Sequence, residues 1–375
     1  MQVRRRLVVF VQGYDARSIA ENFQDFRREY RLTCEHEGLT GEVGAIKETP
    51  KEFSASWDVT TRGDGWQVET RYRLLRWNDL VQKDFARPAW WKIVQMYRTI
   101  GVAMLNGAFM RMLHLNWRVA LMSVVPILLI TTWVLFGTFI GILCMGLVAR
   151  LGAPELVARF VGIVTGLGSF SSLLWLTEPL TGLLKRCDQA ASIDEFINGK
   201  RKDWNQRLDV FAAELADVAD DSKADEMLIV GHGLGAMLSI NLVGRALTRD
   251  AGLGDHGPRV ALLTLGASFP AVGFNPEAKG FRNRLRQLAE ATKLDWVDVQ
   301  SRDDLRSFAP FDPIAGHDIV LDPVPRNPHV VEIRLRPWHK AHARFLMANA
   351  QPGMIYDYYL ICCGPSGLIT RMTKP

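Results

Sequence analysis

The sequence predicts an α/β protein: a doubly wound, mostly parallel sheet interrupted by a transmembrane helical hairpin. Three observations predict it. Uninterrupted apolar runs such as Leu7–Val11 and Met227–Val230 each enter a glycine-bearing turn, as strands buried on both faces of a parallel sheet do. Strand and helix patterns alternate on both sides of the middle of the chain. Between them, Val119–Ala149 runs for 31 residues without a charge, bracketed by Arg118 and Arg150, where about 20 apolar residues suffice to cross a bilayer.

Leu7–Val11 ends in the turn Gln12-Gly13-Tyr14-Asp15, and residues 16–30 read as a helix. Residues 54–75 read as two strands around Arg62-Gly63-Asp64-Gly65. The first apolar helix follows, with Pro126 placed to kink it near its start. A second uncharged run, Phe160–Thr177, extends past Glu178 to Leu184, where Lys185 and Arg186 stop it. It reads as a second crossing, with a re-entrant or interfacial helix as the alternative. The hairpin is thus expected over 119–184, with helices at about 119–149 and 160–184 joined by the connector 150–159. Residues 201–220 are helical, with Leu208, Phe211, Ala212 and Leu215 on one face. The strand at 227–230 and its helix come next, then a strand at 259–266, a helix over 276–292, strands at 294–301 and 329–336, and a final helix at 340–350. Residues 1–118 and 185–375 are therefore read as two parts of one sheet domain, which requires both to lie in one compartment.

Composition narrows the function. The 375 residues are 48% hydrophobic with a net charge of +5. The arginines are dispersed, so basic flanks around an apolar hairpin account for the surplus and a dedicated nucleic-acid surface is not expected. Cys34, Cys144, Cys187, Cys362 and Cys363 have no metal-ligand spacing and fit a reduced setting; no metal or cofactor is expected. Leu7–Val11 is too short for the core of a secretory signal. Arg111 and Arg118 before the hairpin and Lys185, Arg186, Lys200, Arg201 and Lys202 after it place both flanks in the cytoplasm, against Arg150, Arg159 and Glu155 in the connector. Pro88–Trp91, with its paired tryptophans, and Trp117 are candidate anchors at the bilayer surface, or else core.

The chemistry concentrates in Gly231-His232-Gly233-Leu234-Gly235-Ala236. As G-x-G-x-x-A it satisfies a dinucleotide fingerprint, but the following strand ends in Gly266-Ala267-Ser268, without the acidic residue that holds a ribose. As G-x-S-x-G with glycine in the serine position, it is a nucleophile elbow lacking its nucleophile, and candidate partners follow in the order acid then histidine. Asp304, after the strand at 294–301, is the acid candidate, with Asp303 and Asp312 as rivals; its bland reading is a surface carboxylate paired with Arg302 or Arg306. His342 is the histidine candidate, with His339 as its rival, and His232 reads as structural. The main-chain amides of Leu234 and of the Gly13–Tyr14 turn are the candidate oxyanion donors. Neither Ser239, along the helix, nor Ser268 is placed to replace the missing oxygen.

On these stretches ("VFVQGYD", "LIVGHGLGA", "LLTLGASFP", "WVDVQSRDD" and the segment from His342) the chain resembles the α/β-hydrolase superfamily, and in particular bacterial membrane-anchored α/β-hydrolase-like proteins. The resemblance implies ester or lipid hydrolysis by a serine, histidine and aspartate triad, with a lipid or acyl ester as ligand. Gly233 departs from that pattern. Glycine has no oxygen to attack a carbonyl, yet it adopts the positive-φ elbow conformation at little cost. Two readings therefore stand: a serine esterase or lipase type of protein that has lost its nucleophile, and a membrane-tethered binding or scaffold pseudoenzyme using the same pocket. A dinucleotide-binding domain ranks third. Substrate and oligomeric state are not legible.

Overall fold

The computed structural model describes residues 3–49, 53–221, 223–302, 304 and 307–333. At its centre is strand β1 (Arg5–Val11), whose β-branched and leucine side chains are buried on both faces. On one side β1 pairs in parallel with β5 (Trp66–Leu75), which forms an antiparallel hairpin with β4 (Ser54–Gly63). The short strands β2 (Thr40–Val43) and β3 (Lys47–Thr49) edge β4, and neither was expected from sequence. On its other side β1 pairs in parallel with β6 (Glu226–His232), followed by β7 (Arg259–Leu265), β8 (Leu294–Gln300) and β9 (His329–Glu332), all parallel. The spatial order is β2-β4-β5-β1-β6-β7-β8-β9, with β3 beside β4. The expected mixed, mostly parallel α/β sheet is present.

Side-chain alternation along β1 divides the core. Val8 packs with Phe23, Phe26 and Tyr30 of α1 (Ile19–Glu37). Leu7, Val9 and Val11 face the opposite cluster, which includes Leu208 and Phe211 of α8 (Lys202–Asp221), Met237 and Ile240 of α9 (Leu234–Arg249) and Leu285 and Leu288 of α11 (Lys279–Glu290). Helices on both faces make the sheet doubly wound. Local chemistry sets α1: Ser18 and Glu21 form a reciprocal capping box, and Gly38 closes the far end with φ of 65°. Arg6 and Glu226 form a buried ion pair at 2.7 Å across the β1–β6 register.

Between β5 and the hairpin lie three helices that the sequence reading did not resolve: α2 (Asn78–Phe85), α3 (Ala89–Leu105) and α4 (Ala108–Leu115). The hairpin consists of α5 (Trp117–Arg150) and α6 (Glu155–Thr181), both long and apolar enough to cross a membrane. Pro126 lies inside α5, as expected. The second helix begins before residue 160 and ends before 184. Glu155 and Arg159, read as part of a connector, pair one turn apart in the first turns of α6. At the other end Gly182, with φ of 57°, stops α6, and a separate helix, α7 (Leu183–Ile197), returns to the domain. The base of α5 is packed, with Ala120 and Ile130 buried, whereas Phe139, Leu143, Phe160, Leu167 and Trp175 are exposed.

The two long helices touch through glycine. A Cβ on Gly137 would lie 2.7 Å from the Gly166 carbonyl oxygen, and one on Gly141 would lie 2.6 Å from that of Gly162. Both helices thus present a small-xxx-small face, Gly137/Gly141 against Gly162/Gly166, which lets their backbones meet where lipid would offer no hydrophobic drive.

Candidate functional site

The glycine turn sits at the C-terminal edge of the sheet, between β6 and α9. Gly233 has φ of 57° and ψ of −115°, a conformation that side-chain-bearing residues rarely adopt. A Cβ placed there meets nothing within 4 Å. Its neighbours two residues away have no such freedom. A Cβ on Gly231 would lie 2.5 Å from the Gly235 carbonyl oxygen, and one on Gly235 would lie 2.5 Å from that of Val11. The turn therefore requires glycine at 231 and 235 for close packing. At 233 it requires only tolerance of positive φ. The Gly233 N–H donates to the Leu265 carbonyl at 3.0 Å, tying the turn to β7.

The loop after β1 lies against this turn. A Cβ on Gly13 would be 3.4 Å from the Gly235 nitrogen and 3.5 Å from the His232 carbonyl oxygen. Leu234 is the first residue of α9, so its N–H has no intrahelical acceptor and sits at the positive end of a 16-residue helix. The two segments named for their amides, Gly13–Tyr14 and Leu234, are thus brought side by side. His232 is half-buried at the end of β6, on the face of the sheet toward α1.

Asp304 follows β8 at the same edge, two strands from the glycine turn, on the order of 10 Å at ordinary strand spacing. It is only 5% exposed, so it is not a surface carboxylate; Arg306, one of its two candidate partners, lies outside the described residues. The neighbouring Arg302 pairs instead with Glu332, at 2.9 Å. Asp312 is exposed, and its carboxylate accepts from the N–H groups of Ile314 and Ala315 at 2.7 and 2.9 Å, so it is committed to a turn. Ser239 is buried and donates to the Ala236 carbonyl at 2.8 Å. Asp303, His339 and His342 lie outside the described residues. A small cavity lies elsewhere, between β1, β5 and α8, lined by Val9, Leu75, Phe211 and Leu215.

Two polar features were not legible in the sequence. The first is Asp298 on β8, fully buried. Thr264 donates to one of its oxygens at 2.5 Å and Gln300 to the other at 2.6 Å, while Gln300 also clamps Phe311. Burial pushes its carboxyl up to about 6, against the two hydrogen bonds that favour the charge. A carboxyl raised in the fold binds its proton more tightly there than in the unfolded chain. It therefore costs no stability below the ordinary carboxylate range and an increasing amount as pH rises toward 6. Asp298→Asn should therefore stabilise the domain by roughly 3 kcal/mol at pH 8 and by little near pH 4. Paired thermal melts of the two proteins across that range measure the difference.

The second is a buried network around Tyr14. Its hydroxyl lies 3.1 Å from both the Asp84 carboxylate and the Ser192 hydroxyl. Asp84 also accepts from Arg201 at 2.8 Å and pairs with Arg87 at 2.9 Å. Arg87 and Lys92 each approach the fully buried Asp188 at 3.5 Å. Burial pushes the Asp188 carboxyl up to about 6, opposed by those two cations. Burial also raises the Tyr14 hydroxyl well above the ordinary phenol range. The ring of Tyr14 packs against Phe85 and Trp204 at 5.6 and 6.1 Å. Tyr14, expected to act only through its main chain, thus anchors the turn after β1 to α2 and to α7, the helix that leaves the hairpin.

No model of a known protein family, no curated protein and no solved structure matches the chain. Among the described residues no cluster of histidine, cysteine, aspartate or glutamate is arranged to hold a metal ion.

Proposed function

We propose that the chain is a membrane-anchored α/β-hydrolase-like protein of serine esterase or lipase type whose nucleophile position is vacated by Gly233, so that it binds an acyl ester or lipid without forming an acyl-enzyme. The observation that carries the reading is the conformation of Gly233. It sits at positive φ in a strand–turn–helix, with open space where a side chain would project, between two glycines that cannot take a Cβ. The adjacent Gly13 turn and the start of α9 support a place for an oxyanion, and buried Asp304 at the same sheet edge supports an acid. In this reading α5 and α6 cross the bilayer. The sheet domain lies on the cytoplasmic side, and the hairpin holds the glycine turn near lipid.

The test restores the missing atom. Gly233→Ser, purified in detergent, is treated with a fluorophosphonate probe, whose phosphorus is attacked by an activated serine oxygen with loss of fluoride. The expected result is labelling of Gly233→Ser, none of the unaltered chain, and loss of labelling when His342→Ala is added. The strained backbone should cost a side-chain-bearing residue about 1–3 kcal/mol, so folding is checked by a melt of each protein. A folded Gly233→Ser protein that does not label ends the elbow reading and leaves the turn a structural one.

A further inference from the structure

We infer that α3 lies in the surface of the same bilayer, its apolar stripe sunk among the acyl chains and Arg98 and Arg118 set against anionic phospholipid headgroups. The inference rests on the reading of α5 and α6 as membrane spans. One face of α3 is ordinary core: Met96 and Ile100 are buried. The other carries Trp90, Val94, Tyr97, Met104 and Leu105, spaced to form one stripe along a helix. That stripe is open, with Trp90 67% and Leu105 91% exposed. Trp117, at the start of α5, is 58% exposed. A contiguous open apolar surface of this kind marks an interaction site.

Geometry sets its depth. The Tyr97 hydroxyl meets the Thr131 hydroxyl at 2.6 Å, fixing the middle of α3 against α5. Thr131 precedes Arg150, at the charged tip of the hairpin, by 19 residues. At the helical rise that is roughly 28 Å, the thickness of a hydrocarbon core. With Arg150 and Glu155 at one surface, Thr131 and the middle of α3 fall at the other. Charge supplies the partner. From Ala86 to Pro154 the chain has no aspartate or glutamate. Within that stretch Arg87 and Lys92 serve the buried network, and Arg111 pairs with Asp318. Arg98 and Arg118 are exposed and have no carboxylate partner among the described residues; Arg118 lies over the Trp117 ring. Exposed tryptophan and tyrosine beside unneutralised arginine, on a helix tied to the first long helix through Tyr97 and Thr131, fit an anionic lipid surface.

The test places a nitroxide on p-acetylphenylalanine, independent of the native cysteines, at Val94, Leu105, Phe139 or Val210 of the full chain. The proteins are reconstituted in phosphatidylcholine mixed with phosphatidylglycerol. Power saturation then compares access of oxygen, which concentrates in lipid, with access of a water-soluble nickel chelate. Labels at Phe139, Val94 and Leu105 are expected to favour oxygen, and the label on exposed Val210 of α8 to favour nickel. Arg98→Glu with Arg118→Glu is expected to shift the Leu105 label toward nickel while Phe139 is unchanged. Phe139 in lipid with Val94 and Leu105 in water overturns the inference and leaves the spans standing. A Leu105 label indifferent to the double charge reversal also overturns it. Phe139 in water overturns both.

Discussion

Gly141→Leu should pry the two long helices apart and destabilise the hairpin by roughly 2–3 kcal/mol. The cause is backbone against backbone. A Cβ at 141 falls 2.6 Å from the Gly162 carbonyl oxygen and 3.3 Å from the Gly166 Cα, and neither atom can swing aside as a side chain would. On the facing helix, a Cβ at Gly162 would lie 2.9 Å from the Gly141 oxygen, so relief requires the helix axes to separate. If the two helices lie in lipid, little offsets that loss, because close packing is then itself the driving force. Dipolar coupling between nitroxides at the exposed positions Leu143 and Val157 should report a separation larger by roughly 2 Å, toward the usual 8–10 Å between helix axes. Gly146 and Gly168 make the control, since a Cβ at either meets nothing within 4 Å. Leucine there should leave distance and melting unchanged. A Gly141→Leu protein as closely packed and as stable as the original would show that the glycine faces do not hold the hairpin together.

Asp84→Ala should destabilise the sheet domain strongly, costing about 3–5 kcal/mol. Asp84 is 2% exposed and is the common acceptor for Tyr14, Ser192, Arg201 and Arg87. Removing it leaves Arg201, 4% exposed, with Asp203 at 2.8 Å, which engages Nε and Nη2, while Nη1 loses its acceptor and keeps only Glu195 at 3.9 Å. It also leaves Arg87 to Glu195 at 3.1 Å and to Asp188 at 3.5 Å, and Asp188, whose own ionisation burial opposes, is shared with Lys92. Asp84→Asn keeps an acceptor without the charge and should recover part of the loss. Tyr14→Phe removes one hydrogen bond and keeps the ring contacts, so it should cost about 1 kcal/mol. Thermal melts of the three proteins in detergent order the effects. An alanine protein no less stable than Tyr14→Phe would mean that the network is solvated rather than buried.

How much of this was legible in the sequence depends on the range of the interactions. Leu7–Val11, the 54–75 hairpin, the β6 turn and the strands at 259–266 and 294–301 are written in local pattern, and all appear where the sequence places them. The first long apolar helix was equally plain, because 31 uncharged residues make a segment long and apolar enough to cross a membrane. The start of α6 was misread because Glu155 and Arg159 look like a break in an apolar run, although one turn apart on a helix they neutralise each other. Helix α3 was missed for a different reason. It is apolar on its buried face and on its open face alike, so it lacks the polar stripe that normally marks a surface helix. The glycine turn was recognisable from spacing, but spacing does not tell which glycines are required by packing and which by conformation. The network on Asp84 was invisible, since its partners Tyr14, Ser192 and Arg201 lie 70, 108 and 117 residues away in the chain.

The pairing of β1 with β6 joins residues 220 apart, across the whole hairpin. The central strand of the domain is made early and must wait, with one edge open, until both long helices have been made and the chain has come back. Under the membrane reading, a hairpin inserted with only one crossing delivers β6 to the opposite side of the bilayer from β1. The sheet then cannot close, and Arg6 never meets Glu226. On that reading the domain acts as a proofreader of its own anchor: only a chain that has crossed and returned acquires a core.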